Sequence, residues 1–162
     1  AIDDDDPVMY FENKVLMGMK SEVKSLEPIP LGKGKICREG SDLSIITYGK
    51  QVYDALEAAE KLAADGISAE VVDLRSLYPL DKALIAETVA KTHHVIIVTE
   101  EVKRGGYGGE ISAMISEELF DELDAPVARI GALDTPVPFA PVLEQYYMPS
   151  AADIIHAAKK MF

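Results

Sequence analysis

A single cysteine, Cys37, stands in 162 residues, and tryptophan is absent. One cysteine excludes an internal disulfide framework and a multi-cysteine zinc site. No apolar run approaches the roughly 18 residues of a membrane span, and no signal-peptide pattern opens the chain. Cations are scarce: 16 Lys and Arg face 28 Asp and Glu, a net charge of −12. Such a chain repels a phosphate backbone or an anionic membrane surface, so neither nucleic acid nor membrane is expected as a partner. A macromolecular partner of complementary charge would be basic. The shortage is also local, for Gly105 to Asp124 holds six acids and no Lys or Arg. Taken alone, a run of charge reads as a solvated helix face.

What is present suits one globular domain, with 48% hydrophobic and 27% charged residues. From residue 42 onward, strand and helix patterns alternate. Leu43–Tyr48, Ala69–Leu74 and Val95–Thr99 are short apolar, β-branched runs, and Val127–Ile130 is a weaker one. Between them, Val52, Ala55, Leu56, Ala59, Leu62 and Ala63 recur at helical spacing, and Gly66 follows where a C-terminal cap belongs. Asp81 is placed to cap a helix carrying Leu84, Ile85, Thr88 and Val89. Ile111, Ile115, Leu119 and Leu123 mark a further helix, a proline-rich loop, DTPVPFAPVLEQYYMP (134–149), follows the last strand, and Ser150 with Asp153 forms a capping-box pattern before a final helix. Runs without alternation mean strands covered on both faces. The expected fold is therefore α/β, a three-layer α/β/α sandwich around a mostly parallel sheet of about five strands. Residues 1–34 fit this rhythm less well. They read as a linker arm, with a possible strand at Met9–Phe11, ahead of the domain at 35–162. The opening AIDDDDPVMYFENK lacks an initiator Met and reads as the middle of a longer chain.

Few residues carry a self-contained chemistry. The turn at Arg104–Glu110 follows a strand and opens a helix, the context in which backbone N–H groups bind phosphate. It lacks the third glycine of a dinucleotide fingerprint and the Gly-Lys-Ser/Thr of a phosphate loop, and Glu100, Glu101 and Glu110 flank it. A tight turn that lets backbones approach is the plainer reading. His93 and His94 precede a strand and should point to opposite faces, so they cannot easily share a metal. His156 follows an apolar pair in the last helix. No Gly-x-Ser-x-Gly elbow exists, and Cys37 has no activating partner nearby in sequence. Asp3–Asp6 could hold a hard cation, but no glycine or terminal Glu of an EF-hand follows.

The stretch from Gly32 to Asp81 resembles the transketolase C-terminal domain, with Arg-Glu-Gly-x-Asp at Arg38–Asp42, a strand ending at Gly49, and Asp-Leu-Arg-x-x-x-Pro-Leu-Asp at Asp73–Asp81. DPVMYFENK (6–14), EEVKRGGYGGEI (100–111) and DTPVPFAPVLEQYYMPS (134–150) narrow the resemblance to the β subunits of thiamine-diphosphate-dependent 2-oxo acid dehydrogenases, the pyruvate type foremost. The resemblance implies decarboxylation of a 2-oxo acid and acyl transfer to lipoyl-lysine by an assembled enzyme. It implies thiamine diphosphate and Mg2+ held by other domains. No catalytic or cofactor-binding residue carries over, because the Gly-Asp-Gly motif is absent and the pyrimidine-binding domain would lie upstream. It implies an α subunit and a second β subunit as partners, and a cytoplasmic or mitochondrial-matrix location. An Ala-Ile-x-Asp-x-Asn-Pro stretch of the family helps hold K+, and Ala1, Ile2 and Asp4 match it while Asp6 replaces the Asn. The family's acyltransferase docks a basic peripheral subunit-binding domain near the carboxyl termini of the β subunits. Asp124, before Ala125-Pro126-Val127, and Phe162 occupy similar positions, and helical spacing would add Glu117 and Asp121 to one acidic face. Two rivals stand beside this reading: a freestanding acidic interaction module, and a transketolase tail, against which PVPFAP and MYFENK argue.

Overall fold

The computed structural model describes residues 2, 4–20, 22 and 27–162. Its core is a five-stranded sheet built from β1 (Lys35–Arg38), β2 (Leu43–Thr47), β3 (Ala69–Asp73), β4 (Val95–Val102) and β5 (Ala128–Ala132), in the order β1-β3-β2-β4-β5. Four strands run parallel, and β1 pairs antiparallel with β3 at one edge. The helices are α1 (Gln51–Ala64), α2 (Lys82–Thr92), α3 (Tyr107–Glu118), α4 (Pro141–Tyr147) and α5 (Ala151–Ala158).

Side chains alternate across each strand, and both faces are covered. Leu43, Ile45, Val71, Ile96 and Val98 pack with Ala55, Leu62 and Ile154 beneath α1 and α5. Ile46, Val72, Val95 and Ile97 pack with Ile85, Val89, Ile111 and Ile115 beneath α2 and α3. This is the expected three-layer sandwich, and each fully buried Ile or Leu contributes about 1.5–3 kcal/mol. The helix ends follow their caps. Asp81 accepts the Leu84 N–H at 3.3 Å and also the Gly34 N–H at 3.1 Å, so one carboxylate starts α2 and ties down the chain ahead of β1. Ser150 and Asp153 form the reciprocal capping box of α5. Gly66, with φ +86°, ends α1.

A polar seam crosses the α2 face. Glu70 is wholly buried, takes a hydrogen bond from the Thr88 hydroxyl and pairs with Lys91, which also reaches Glu39 at 2.9 Å. The Ser44 hydroxyl meets those of Thr88 at 2.7 Å and Thr92 at 2.6 Å.

Three expectations are corrected. Met9–Phe11 forms no strand, and its side chains stand exposed. The proline-rich segment after β5 is not all loop: Pro141 sits in the first turn of α4, where its missing N–H costs nothing. α3 does not continue to Asp124. It stops at Glu118, and a separate 3₁₀ turn spans Phe120–Glu122. The last turn of α3 holds no cation, and its acids oppose the negative end of the helix dipole.

Candidate functional site

Chain order directs attention to two places. From β2 the chain crosses to β3 on one side, then passes back over to β4 on the other. Between the C-terminal ends of β2 and β4 lies the switch point where α/β sheets bind ligands. Tyr48 and Glu101 face each other there, with the phenol donating to the carboxylate at 2.9 Å. Burial, with the Glu101 charge beside it, pushes the Tyr48 hydroxyl well above its usual range. Glu100 accepts a hydrogen bond from the Asn13 amide at 2.8 Å, which fastens the arm to the sheet. Its carboxyl is raised mainly by burial, although Lys50 and Asn13 act the other way.

The glycine turn beside this crevice is a packing device. A Cβ at Gly106 would lie 2.5 Å from the Val102 carbonyl oxygen, and one at Gly108 would press on Thr99 and Ile97 at 3.2 and 3.3 Å. Two of its N–H donors are engaged as well. The Gly109 N–H bonds the Gly106 carbonyl at 2.9 Å, and the Gly108 N–H points to Glu101 at 3.4 Å. With Glu101 taking the Gly108 N–H and Glu110 lining the same groove as Lys103 and Arg129, these residues do not fit a diphosphate bound through Mg2+. Among the described residues no cluster of three His, Cys, Asp or Glu is arranged to hold a metal.

The second place is the opposite end of the sheet. The Asp124 N–H donates to the His93 carbonyl at 3.0 Å. The His93 ring nitrogen Nδ1 lies 2.7 Å from the Glu122 carbonyl. The His94 ring sits 4.8 Å from the Phe162 ring, tilted by 36°. The two histidines make separate contacts, His93 with Glu122 and Asp124 and His94 with Phe162, although neither lies in a strand: His93 ends α2 with a left-handed backbone, and β4 begins at Val95. Glu117 is exposed on α3, whereas Asp121 belongs to the 3₁₀ turn and Asp124 lies beyond it. The three acids therefore do not share one helical face, because the helix they were placed on has already ended. Nearby, Asp42 is held below the usual carboxylate range by the Ser68 N–H and the Ser41 hydroxyl.

The remaining candidates separate. Ala1 and Asp3 lie outside the described residues. Ile2 is exposed, as are Asp4 and Asp6, and Asp4 accepts the Asp6 N–H at 3.0 Å within a local turn. Cys37 is half-buried, and burial with the neighbouring Asp73 pushes its thiol up, away from thiolate chemistry. His156 is exposed on α5.

The sequence pattern did not reveal an apolar band around α4. Val137, Phe139, Val142, Leu143 and Tyr146 stand exposed on and before that helix, with Phe139 fully so. Exposed apolar side chains gathered in one short segment are characteristic of interaction surfaces. The signal was legible as Pro141 followed by Val142, Leu143 and Tyr146 at helical spacing, apolar on a helix too short to bury them.

Comparisons with known proteins agree with this architecture. The family model of the transketolase C-terminal domain matches residues 32–154. The chain is 45% identical over 162 residues to the pyruvate dehydrogenase E1 component subunit beta of Rickettsia felis, covering 99% of this chain and 50% of that protein. It is 48% identical over 151 residues to the 2-oxoisovalerate dehydrogenase subunit beta of Bacillus subtilis, covering 91% of this chain and 46% of that protein. Among solved structures, a split-gene transketolase, described as an inactive beta4 tetramer, matches with a TM-score of 0.73 and 34% identity over 87% of this chain and 45% of that one. The chain thus spans about half the length of the relatives it matches. With the family model covering most of the sheet and its helices, the chain belongs to the transketolase C-terminal domain family.

Proposed function

We propose that this chain is the C-terminal domain of the β subunit of a thiamine-diphosphate-dependent 2-oxo acid dehydrogenase, the pyruvate type foremost. In this reading residues 1–34 are the arm leading from the upstream domain, and 35–162 are the buttress. Its work is structural. It pairs with a second β subunit, supports the α subunit, and docks the acyltransferase through that enzyme's basic peripheral subunit-binding domain. In the assembled enzyme, thiamine diphosphate with Mg2+ supplies the decarboxylation chemistry, and the residues of this chain hold other domains in place. Any K+ at Ile2, Asp4 and Asp6 would need further ligands from outside these residues. The assembly works in the bacterial cytoplasm or the mitochondrial matrix.

The observation that carries this reading is the exposed apolar band at Val137, Phe139, Val142, Leu143 and Tyr146. A domain otherwise so well packed would gain nothing from it without a neighbouring subunit. The acids from Glu117 to Asp124 support docking to a basic partner, since opposing charge speeds association and fixes specificity.

Calorimetric titration of this chain with thiamine diphosphate and Mg2+ should give no binding in the micromolar range, and a micromolar affinity overturns the structural role. Binding of the basic docking domain should weaken at least about tenfold as ionic strength rises to about 0.15 M. Asp124→Lys should abolish it at either salt level. If that variant binds as the parent does, the docking assignment is wrong.

A further inference from the structure

We infer that the groove lined by Lys103, Arg129 and Tyr78 binds an acidic, extended segment of a partner polypeptide. It lies beside the glycine turn that joins β4 to α3 and holds about 700 Å3, a size that suits a ligand. The inference does not rest on the docking reading above. The chain as a whole favours basic partners, so a cationic groove on it runs against the general charge.

Acids outnumber cations in this chain by 28 to 16, and neighbouring cations are taken. Arg104 pairs with Asp134, and Lys82 with Glu118 at 2.6 Å. Lys103 and Arg129 pair with no carboxylate among the described residues. Both are nonetheless held in place. The Arg129 guanidinium donates from Nη1 to the Lys103 carbonyl at 3.2 Å. That same nitrogen occupies space that Gly109 leaves open, 3.0 Å from where a Cβ would stand. The Lys103 stem uses Gly131 likewise, with its Cγ 3.0 Å from the place of a Cβ there. Two glycines thus seat two like charges close together. Cations fixed in this way lose little freedom on meeting a carboxylate, and a guanidinium offers it two parallel N–H bonds.

The rest of the groove favours a polypeptide over a phosphate. Glu110 lines it too. Its carboxylate repels a doubly charged phosphate, but it can accept an N–H from an extended backbone, a donor that phosphate lacks. Gly105 and Gly106 line the groove with bare main chain. Tyr78 is 96% exposed, and its loop is pinned where the Tyr107 hydroxyl donates to the Leu77 carbonyl. A tyrosine presented in full on a fixed loop is the kind of residue that anchors a partner segment. An acidic side chain on Lys103 and Arg129, a backbone N–H on Glu110 and an apolar side chain on Tyr78 together describe the occupant.

The test titrates the 162-residue chain with a short fluorescent peptide in which Glu alternates with Leu, and with the same peptide carrying Gln for Glu. The acidic peptide should bind at least about tenfold tighter, a preference that shrinks as salt rises. It should shift the amide resonances of Gly105, Gly106 and Gly109. Lys103→Gln combined with Arg129→Gln should erase the preference, whereas Glu110→Gln should strengthen binding about two- to threefold by removing a like charge. Gly109→Ala keeps every charge and suits a helix better than glycine, so the melting temperature should hold or rise. Its methyl displaces the guanidinium, so binding should still weaken about threefold. The inference is overturned if the two peptides bind alike, if the double variant keeps the preference, or if Gly109→Ala binds as the parent does. It also falls if pyrophosphate binds more tightly than the acidic peptide, which makes the ligand a phosphate. If the parent self-associates and Arg129→Gln abolishes this, the occupant is a second copy, and a separate acidic partner is ruled out.

Discussion

The two ends of the sheet treat their acids in opposite ways. At the N-terminal end, Asp42 is held low by donated hydrogen bonds from Ser68 and Ser41, and Glu39 by the Lys91 ammonium. Glu39 is exposed and Asp42 partly so, and both are comfortably charged. At the C-terminal end, Asp73 and Glu100 are half-buried and held high, chiefly because burial disfavours their charged forms. Parallel sheets commonly bind ligands at the C-terminal end. Here the β2–β4 crevice at that end is spanned by the Tyr48–Glu101 contact, with the arm fastened beside it through Asn13. The end offering stable negative charge to a partner is the other one. The ends differ in their surroundings, since one meets the chain's own arm through Asn13 and the other faces solvent.

The largest expected effect tests how rigid each end is. A Cβ at Gly40, beside the N-terminal end, would overlap the Glu70 nitrogen and the Ala69 carbonyl carbon, which are backbone atoms that cannot step aside. Gly40→Ala should cost about 3 kcal/mol or more, or prevent folding. At Gly106 the overlap is milder, with one backbone atom, the Val102 carbonyl oxygen, at 2.5 Å against two at 2.1 and 2.2 Å for Gly40, and the other obstruction is the Glu101 side chain, which can move. Gly106→Ala should cost less, about 1–2 kcal/mol. Denaturant titration of both variants ranks the ends, and an equal loss removes the distinction.

Lys91→Met comes next. It strips the wholly buried Glu70 of its cation, leaving only the Thr88 hydroxyl. The expected loss is about 3 kcal/mol, at the low end for an orphaned buried charge because Lys91 is partly exposed. Adding Glu70→Gln should recover most of it. If the double variant is as unstable as the single one, the seam is not held by charge.

The sheet was legible because burial on both faces writes itself as unbroken apolar runs, Leu43–Thr47 and Val95–Thr99, and the caps at Asp81 and Ser150 sit where local hydrogen bonding puts them. β5 lies slightly off its expected place, since Arg129 and Gly131 dilute its pattern. Neither the end of α3 nor the meeting of Asp124 with His93 could be read. The first turns on a helix-dipole conflict weaker than the apolar spacing of Leu119 and Leu123 that masks it. The second depends on contacts far apart in sequence, which periodicity does not record. The transketolase-like motifs were local and therefore visible, from Arg38–Asp42 to Asp73–Asp81.

The smallest effect is the most direct test of the comparison, because the two ends should respond to pH with opposite sign. Glu100 is raised in the folded state, so the native protein binds its proton more readily than the unfolded chain does. Its contribution is most favourable below the unfolded carboxylate pKa and is lost as pH rises through the folded value. Glu100→Gln keeps an acceptor for Asn13 and removes the buried charge, so it should stabilise the protein at pH 7 by less than about 1 kcal/mol, discounted for partial exposure. That gain should vanish toward about pH 4, where Glu100 itself is neutral. Asp42 is lowered in the folded state, so its contribution is present at neutral pH and is lost as pH falls through the folded value. Asp42→Asn should therefore destabilise at pH 7, with the deficit shrinking in acid. Thermal melts of the two variants and the parent from neutral to acid pH should show difference curves of opposite sign. Curves of the same sign would mean that burial and hydrogen bonding do not divide the ends as described.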